Sequence, residues 1–227
     1  RASIQWVYWG GLIVLSLTAL SAMLVPEAPM RQRSPGSSAL DILRRREVLA
    51  LLLGVMLMTA AHGTLYVFYT IHLVGAGYSK TVAGGMWTLG VVAEIFVMAR
   101  GHRILGRFAL RPLFMFAFAC AVLRFLIVGW CVEHPVLMVL AQCLHGATFG
   151  LCHVAAISAI HKWFGDGHQA QGQAWFSSIS YGAGGILGSF SSGWLWAALG
   201  AGWAFSCSSL LALAGGVLLW FGFRHKA

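Results

Sequence analysis

Two charges sit where charge is expensive. Glu94 lies inside one apolar run, six residues before Arg100. Arg124 lies inside the next, flanked by Leu123, Phe125 and Leu126. A charge at mid-membrane costs roughly 2.5–3.5 kcal/mol on insertion scales, so each must face protein or a wetted cavity. Glu94 suits a proton-coupling carboxylate. It equally suits a structural ion pair, or a carboxylate wetted near the membrane surface. The planar fork of Arg124 suits a substrate carboxylate, or a structural pair. The two charges lie on adjacent segments, but their depths differ. Arg124 is twelve residues past Pro112, about 18 Å along its helix, whereas Glu94 is only about 9 Å from Arg100. A direct pair would need helix tilt or side-chain reach.

Two polar stripes accompany these charges. Gln142, His145, Phe149 and His153 are spaced 3, 4 and 4 and share one helical face. Two imidazoles and an amide on one face of a membrane helix point to a polar cavity or a proton path. Satisfaction by neighbouring groups is the alternative. Thr59, His62, Tyr66 and Tyr69 are spaced 3, 4 and 3. Aromatic rings with polar tips suit a cavity wall, or plain helix packing with hydrogen bonds. The nine histidines show neither an HExxH motif nor paired HxxxH spacing, and acids are scarce, so no metal site or cofactor motif is read. The five cysteines form no CxxC pair and read as packing residues.

These groups need helices in lipid to position them. Of 227 residues 59% are hydrophobic and only 9% charged. A soluble domain carries about 25% charged residues, so this chain cannot cover a water-facing surface. Seven runs are long enough to span a bilayer: 6–25, 48–74, 82–99, 112–132, 135–160, 174–196 and 203–223. The expected fold is therefore all-α, with seven transmembrane helices. The loop Gly75-Ala-Gly-Tyr-Ser79 is tight, and Ser79 is placed to cap the next helix. Gly184 and Gly188, then Gly185, Ser189 and Gly193, recur every four residues, the small-xxx-small pattern of close helix approach. Trp194, Trp196 and Trp203 read as an interfacial belt.

The one long connection, 26–47, holds three prolines and ends in the basic run Asp41-Ile-Leu-Arg-Arg-Arg46. It divides the chain into a first helix (1–25), a linker (26–47) and a six-helix region (48–227). The net charge of +9 is not a nucleic-acid signature. Twelve of the fifteen Lys and Arg fall on alternate connections that share the linker's side, two (Arg1 and Lys80) fall opposite, and Arg124 lies within a span. The positive-inside rule then makes the linker and the C-terminus cytoplasmic.

A basic linker followed by six spans is the layout of the second half of a major facilitator superfamily transporter, helices six to twelve of twelve. Gly77-Tyr-Ser79, Met86-Trp-Thr-Leu-Gly-Val-Val-Ala-Glu94, Val122-Leu-Arg124 and Gln142-Cys-Leu-His-Gly-Ala-Thr-Phe-Gly-Leu-Cys-His153 resemble the 3-phenylpropionate permease branch of that superfamily. The chain is similar, more distantly, to nucleoside–proton symporters. The superfamily's basic loop motif is degenerate here: Arg100-Gly-His-Arg-Ile-Leu-Gly-Arg107 keeps Gly101, Gly106 and Arg107 but has no aspartate. The resemblance implies proton-coupled uptake of a small organic acid such as 3-phenylpropionate across a bacterial inner membrane. It also implies that the first half is missing, and that substrate binds between two halves, so this chain alone should not transport. A nucleoside or drug carrier, an intramembrane metalloenzyme and an inactive remnant or scaffold are the competing readings.

Overall fold

In lipid every backbone N–H and C=O has to be satisfied within the chain, and apolar runs of this length meet that demand as helices. The computed structural model describes residues 4–24 and 38–223, and no strand occurs among them. The chain divides into two units, residues 1–33 and 34–227. The first holds α1 (Ile4–Met23). Most of the expected linker, with Arg31 and Arg33, lies outside the described residues, as do Arg224 and Lys226.

The second unit opens with the short helix α2 (Ala39–Leu43). The Ser38 hydroxyl accepts from the Leu40 N–H, and Asp41 reaches back to the Ser38 N–H (3.2 Å), a reciprocal cap. The long helix α3 (Arg46–Gly75) follows. The Ser79 hydroxyl then accepts from the Val82 N–H at 3.2 Å and starts α4 (Lys80–Ala99), as its position predicts. A short basic helix, α5 (Gly101–Arg107), leads to α6 (Leu110–Trp130). The remainder forms two continuous helices, α7 (Pro135–Gly165) and α8 (Gly167–Gly222). Each contains a π-helical stretch, Gly146–Leu151 in α7 and Phe176–Ala183 in α8.

Seven spans were expected. Five helices, α3, α4, α6, α7 and α8, are long and apolar enough to cross a membrane, and Tyr8–Met23 forms a shorter apolar helix. The difference arises largely in α8, which carries the last two expected segments, 174–196 and 203–223. Its non-helical residue is Gly200, at φ 79°, a left-handed conformation that favours glycine. The chain reverses there without an intervening coil. The first arm (167–199) runs alongside α3 in the same direction: Gly184 meets Met56, Gly188 meets Ala60, and Trp196 stacks on Phe68 at 4.5 Å. The second arm (201–222) runs back: Ser208 bonds Thr64, Leu219 packs on Gly54, and Gly222 packs on Ala50.

Helix α3 is thus the axis of the unit, and glycine lets the first arm approach it. A Cβ on Gly184 would lie 2.6 Å from the Met56 carbonyl, and one on Gly63 or Gly188 would strike backbone of the facing helix. Only one of the two small-residue stripes packs this way. Gly185 and Gly193 meet nothing within 4 Å. The helix ends also sort by charge. Arg44, Arg45 and Arg46, the α5 arginines, Arg111 and Lys162 share one rim, tied together where Phe223 meets Phe114 and Trp163. The other end carries Lys80 and an aromatic cluster in which Trp130 packs on Trp203 and donates to Ser206 at 3.0 Å.

Gly188→Ala is expected to destabilise the protein by about 1–3 kcal/mol, the range for overpacking. The thermal midpoint in detergent would fall by roughly 2–4 °C per kcal/mol. Gly185→Ala, at the open stripe, should change it by less than about 0.5 kcal/mol. Equal effects at the two positions would refute the assignment of the packed face.

Candidate functional site

Arg124 is fully buried, at 0% exposure, in the middle of α6. Its Nε donates to the Ala141 carbonyl at 2.8 Å. One terminal nitrogen donates to His145 Nδ1 (2.9 Å) and Thr148 Oγ1 (3.2 Å), and His62 Nε2 lies 3.3 Å from it and 3.4 Å from Thr148 Oγ1. The other donates to Gln142 Oε1 at 3.2 Å. The cation is solvated by α3 and α7, and each of these acceptors is neutral. Among the described residues no carboxylate pairs with it.

These contacts fix the tautomers. A carbonyl only accepts, so His62 Nδ1 carries the proton it donates to Met58 (2.8 Å), and its Nε2 offers a lone pair to Arg124. His145 accepts at Nδ1, so its proton sits on Nε2, which points at Glu94. The His145 Nε2 to Glu94 Oε2 distance is 3.6 Å, too long for a hydrogen bond but close enough for charge pairing if the ring gains a proton. Glu94 and Arg124 therefore do not meet directly. The depth mismatch persists, and His145 stands between them. The His145 lone pair faces Arg124, and that of His62 faces Arg124 and the Thr148 hydroxyl. No three His, Cys, Asp or Glu converge among the described residues.

The π-helical stretch in α7 begins right after His145. The extra residue it accommodates changes the rotation between His145 and His153, and such stretches are frequent at functional sites. Gln142, His145 and Thr148 all reach Arg124. His153 does not. Phe149 stacks between the two rings, 5.6 Å from His145 and 6.1 Å from His153. His153 Nδ1 shares a 2.7 Å hydrogen bond with the Tyr181 hydroxyl, from the π-helical stretch of α8.

From the α3 stripe, His62 joins the cluster while the tyrosines flank it. Tyr69 is buried and faces the Gln142 side chain, though neither its hydroxyl nor the Gln142 amide nitrogen makes a well-formed hydrogen bond. Tyr66 is 48% exposed and stacks on Trp87 of α4 at 6.0 Å. The Trp87 indole N–H donates to Thr70 at 3.0 Å and holds that ring in place. Beside the cluster lies a cleft of about 40 Å³, lined by Met58, Thr59, His62, Tyr66, Thr148 and Phe149 among others. That is room for roughly one water, not for an organic acid. Thr148, Trp87 and Tyr181 are not found by the stripe reading. Thr148 had a signal, standing three residues after His145. Trp87 had one too, a tryptophan well inside a span rather than at its end.

Residues 2–207 match the profile of the MFS_1 like family. The chain belongs to this major facilitator family. It is also 34% identical over 186 residues to a protein of Escherichia coli (strain K12) named "Probable 3-phenylpropionic acid transporter", covering 82% of this chain and 48% of that protein. The chain thus spans about half the length of the curated relative it matches. Family membership and the apolar helices together make it a multi-pass membrane protein. Arg124 and His145 occupy the interior of a major facilitator unit, with the partly exposed Glu94 beside them.

The cluster's energetics are open to test through two nearly isosteric changes. Thr148→Val removes an acceptor of the buried cation and should cost about 1.5–3 kcal/mol, the range for hydrogen bonds to charged groups. Tyr69→Phe removes a hydroxyl whose contact with the Gln142 side chain is weak, and should move the thermal midpoint less than Thr148→Val does. A stabilising Thr148→Val would show that the guanidinium does not depend on that hydroxyl.

Proposed function

We propose that the full-length transporter carries a small organic acid anion together with a proton. One observation carries this reading: Arg124 is a fully buried cation whose hydrogen-bond acceptors are all neutral. Desolvating an ion costs several kcal/mol, and good geometry with an opposite charge is what offsets it. A carboxylate that reached the guanidinium would supply the missing charge in bidentate form. The relative's printed name, an aromatic acid transporter, supports the substrate class. So do the rings of Tyr66, Trp87 and Phe149 around the cluster. The far wall of the substrate site would come from the other half of the transporter, and rocking of the halves would alternate access.

The proton follows from His145. Its Nδ1 cannot hold a proton while it accepts from Arg124. A substrate carboxylate on Arg124 cancels the cation and releases the imidazole. The ring can then take a proton and pair with Glu94, which faces its other nitrogen. Proton and anion each favour the other's binding, and by linkage the coupling is reciprocal. In this reading the basic rim and the C-terminus face the cytoplasm of a bacterial inner membrane.

The test is uptake of labelled 3-phenylpropionate into proteoliposomes holding the full-length transporter, with and without an inward proton gradient. Gradient-driven accumulation is expected. Arg124→Ala should lower uptake by at least roughly 30-fold, from the about 2–5 kcal/mol that a buried charge partner is worth. Glu94→Gln should abolish accumulation against a gradient while leaving substrate exchange. Uptake indifferent to an uncoupler and to Glu94→Gln would sink the coupling. Competition by nucleosides, with none by carboxylates, would sink the substrate class.

A further inference from the structure

A second concavity lies away from the Arg124 cluster, between α6 and the second arm of α8. Met115, Phe118 and Val122 line one side, Leu213, Val217 and Trp220 the other, enclosing about 250 Å³. Spacings of 3 and 4 residues keep each set on one helix face, so the groove follows the helices for roughly 10 Å. Gly216 gives it depth, since a Cβ there would come 3.2 Å from the Phe118 side chain. Leu213, Val217 and Trp220 are about half exposed.

The end of this groove at the basic rim is charged. Arg111 stands one helical turn before Met115. Its guanidinium lies over the Trp220 ring, 3.8 Å from the centroid. That contact holds the head group at the mouth of the groove. The Arg111 Nε is buried yet has no hydrogen-bond partner. Among the described residues no carboxylate pairs with Arg111. An apolar channel along the membrane normal, ending in an oriented and underused guanidinium, fits one kind of molecule.

We propose that this groove binds an anionic phospholipid. One acyl chain lies along Phe118, Gly216 and Val217, and the phosphate accepts hydrogen bonds from Arg111. The stem of Arg111 runs over apolar surface while its head stays at the membrane surface, as long basic side chains do at interfaces. The charge of the occupant matters because the rim already carries Arg103 and Arg107, which have no acidic partners among the described residues. A zwitterionic head group offers the same chain and phosphate, but its own cation is repelled there. A second protein helix in the groove would have to bring an acid to Arg111. The site is independent of the transport reading and shares no residue with it.

The experiment uses the full-length protein in a neutral detergent, with phosphatidylglycerol or phosphatidylcholine of identical chains added. Native mass spectrometry should show one phosphatidylglycerol retained, at least tenfold preferred over phosphatidylcholine. The thermal midpoint should rise by a few degrees with phosphatidylglycerol only. Arg111→Gln should erase the preference and Arg111→Lys should keep much of it. Ala119→Phe, which fills the groove from its exposed edge, should weaken retention while leaving the fold intact. Equal retention of both lipids, a preference that survives Arg111→Gln, or the same midpoint shift from soluble glycerol phosphate would each overturn the proposal. So would loss of the effect through dimer formation rather than lipid binding.

Discussion

A guanidinium at the centre of an apolar bundle has no water to lean on, so the protein has to solvate it. Arg124 draws acceptors from α3 and α7, and those acceptors determine much else. They hold two imidazoles in defined tautomers and keep both neutral. They bring α3, α6 and α7 to a common depth. They also leave the cluster with one positive charge that no carboxylate among the described residues pairs with directly. A structural ion pair would have been complete in itself. This arrangement is electrostatically open, and the proposed anion transport rests on that openness.

The cluster keeps its geometry because α3 is gripped on both sides by α8. In lipid there is little hydrophobic drive between helices, so close backbone approach has to supply the cohesion. Gly63 meets Gly188, and Gly184 meets the Met56 backbone, in the same stretch of α3 that carries His62. The second arm adds the Ser208 to Thr64 hydrogen bond at 2.8 Å. Rigid backing of this kind lets a polar cluster sit on helix faces without wandering. The π-helical stretches of α7 and α8 are the exceptions to regular helix, and they meet where Phe149 and Tyr181 contact at 6.1 Å. The irregularity is concentrated beside the site rather than scattered.

The two ends of the bundle differ in kind. One is ringed with arginines that snorkel from helix ends, and the other with tryptophans that hydrogen-bond and stack. Arg124 is the exception among the cations, since it alone among the described Lys and Arg is fully buried. Interfacial arginines gain from water and lipid head groups, whereas an interior one has to be solvated by the protein, and that contrast separates Arg124 from the cations of the rim.

The sequence by itself determined the medium, the helices and the candidate charges. Those rest on local properties: apolar run length, glycine and serine at turns, and the cost of a charge inside a span. It marked Glu94, Arg124, Gln142, His145 and His62, because polar groups in apolar runs stand out without any knowledge of neighbours. It did not distinguish the Gly184 stripe from the Gly185 stripe, since both have the same spacing and only the position of α3 tells them apart. Nor did it show that His145 intervenes between Glu94 and Arg124, or that His153 turns to Tyr181 instead. Those outcomes depend on a π-helical stretch that shifts the phase of α7 and on how far α6 slides against it. Helix rotation and relative depth are set by packing between segments far apart in the chain, and spacing within one segment carries no record of them.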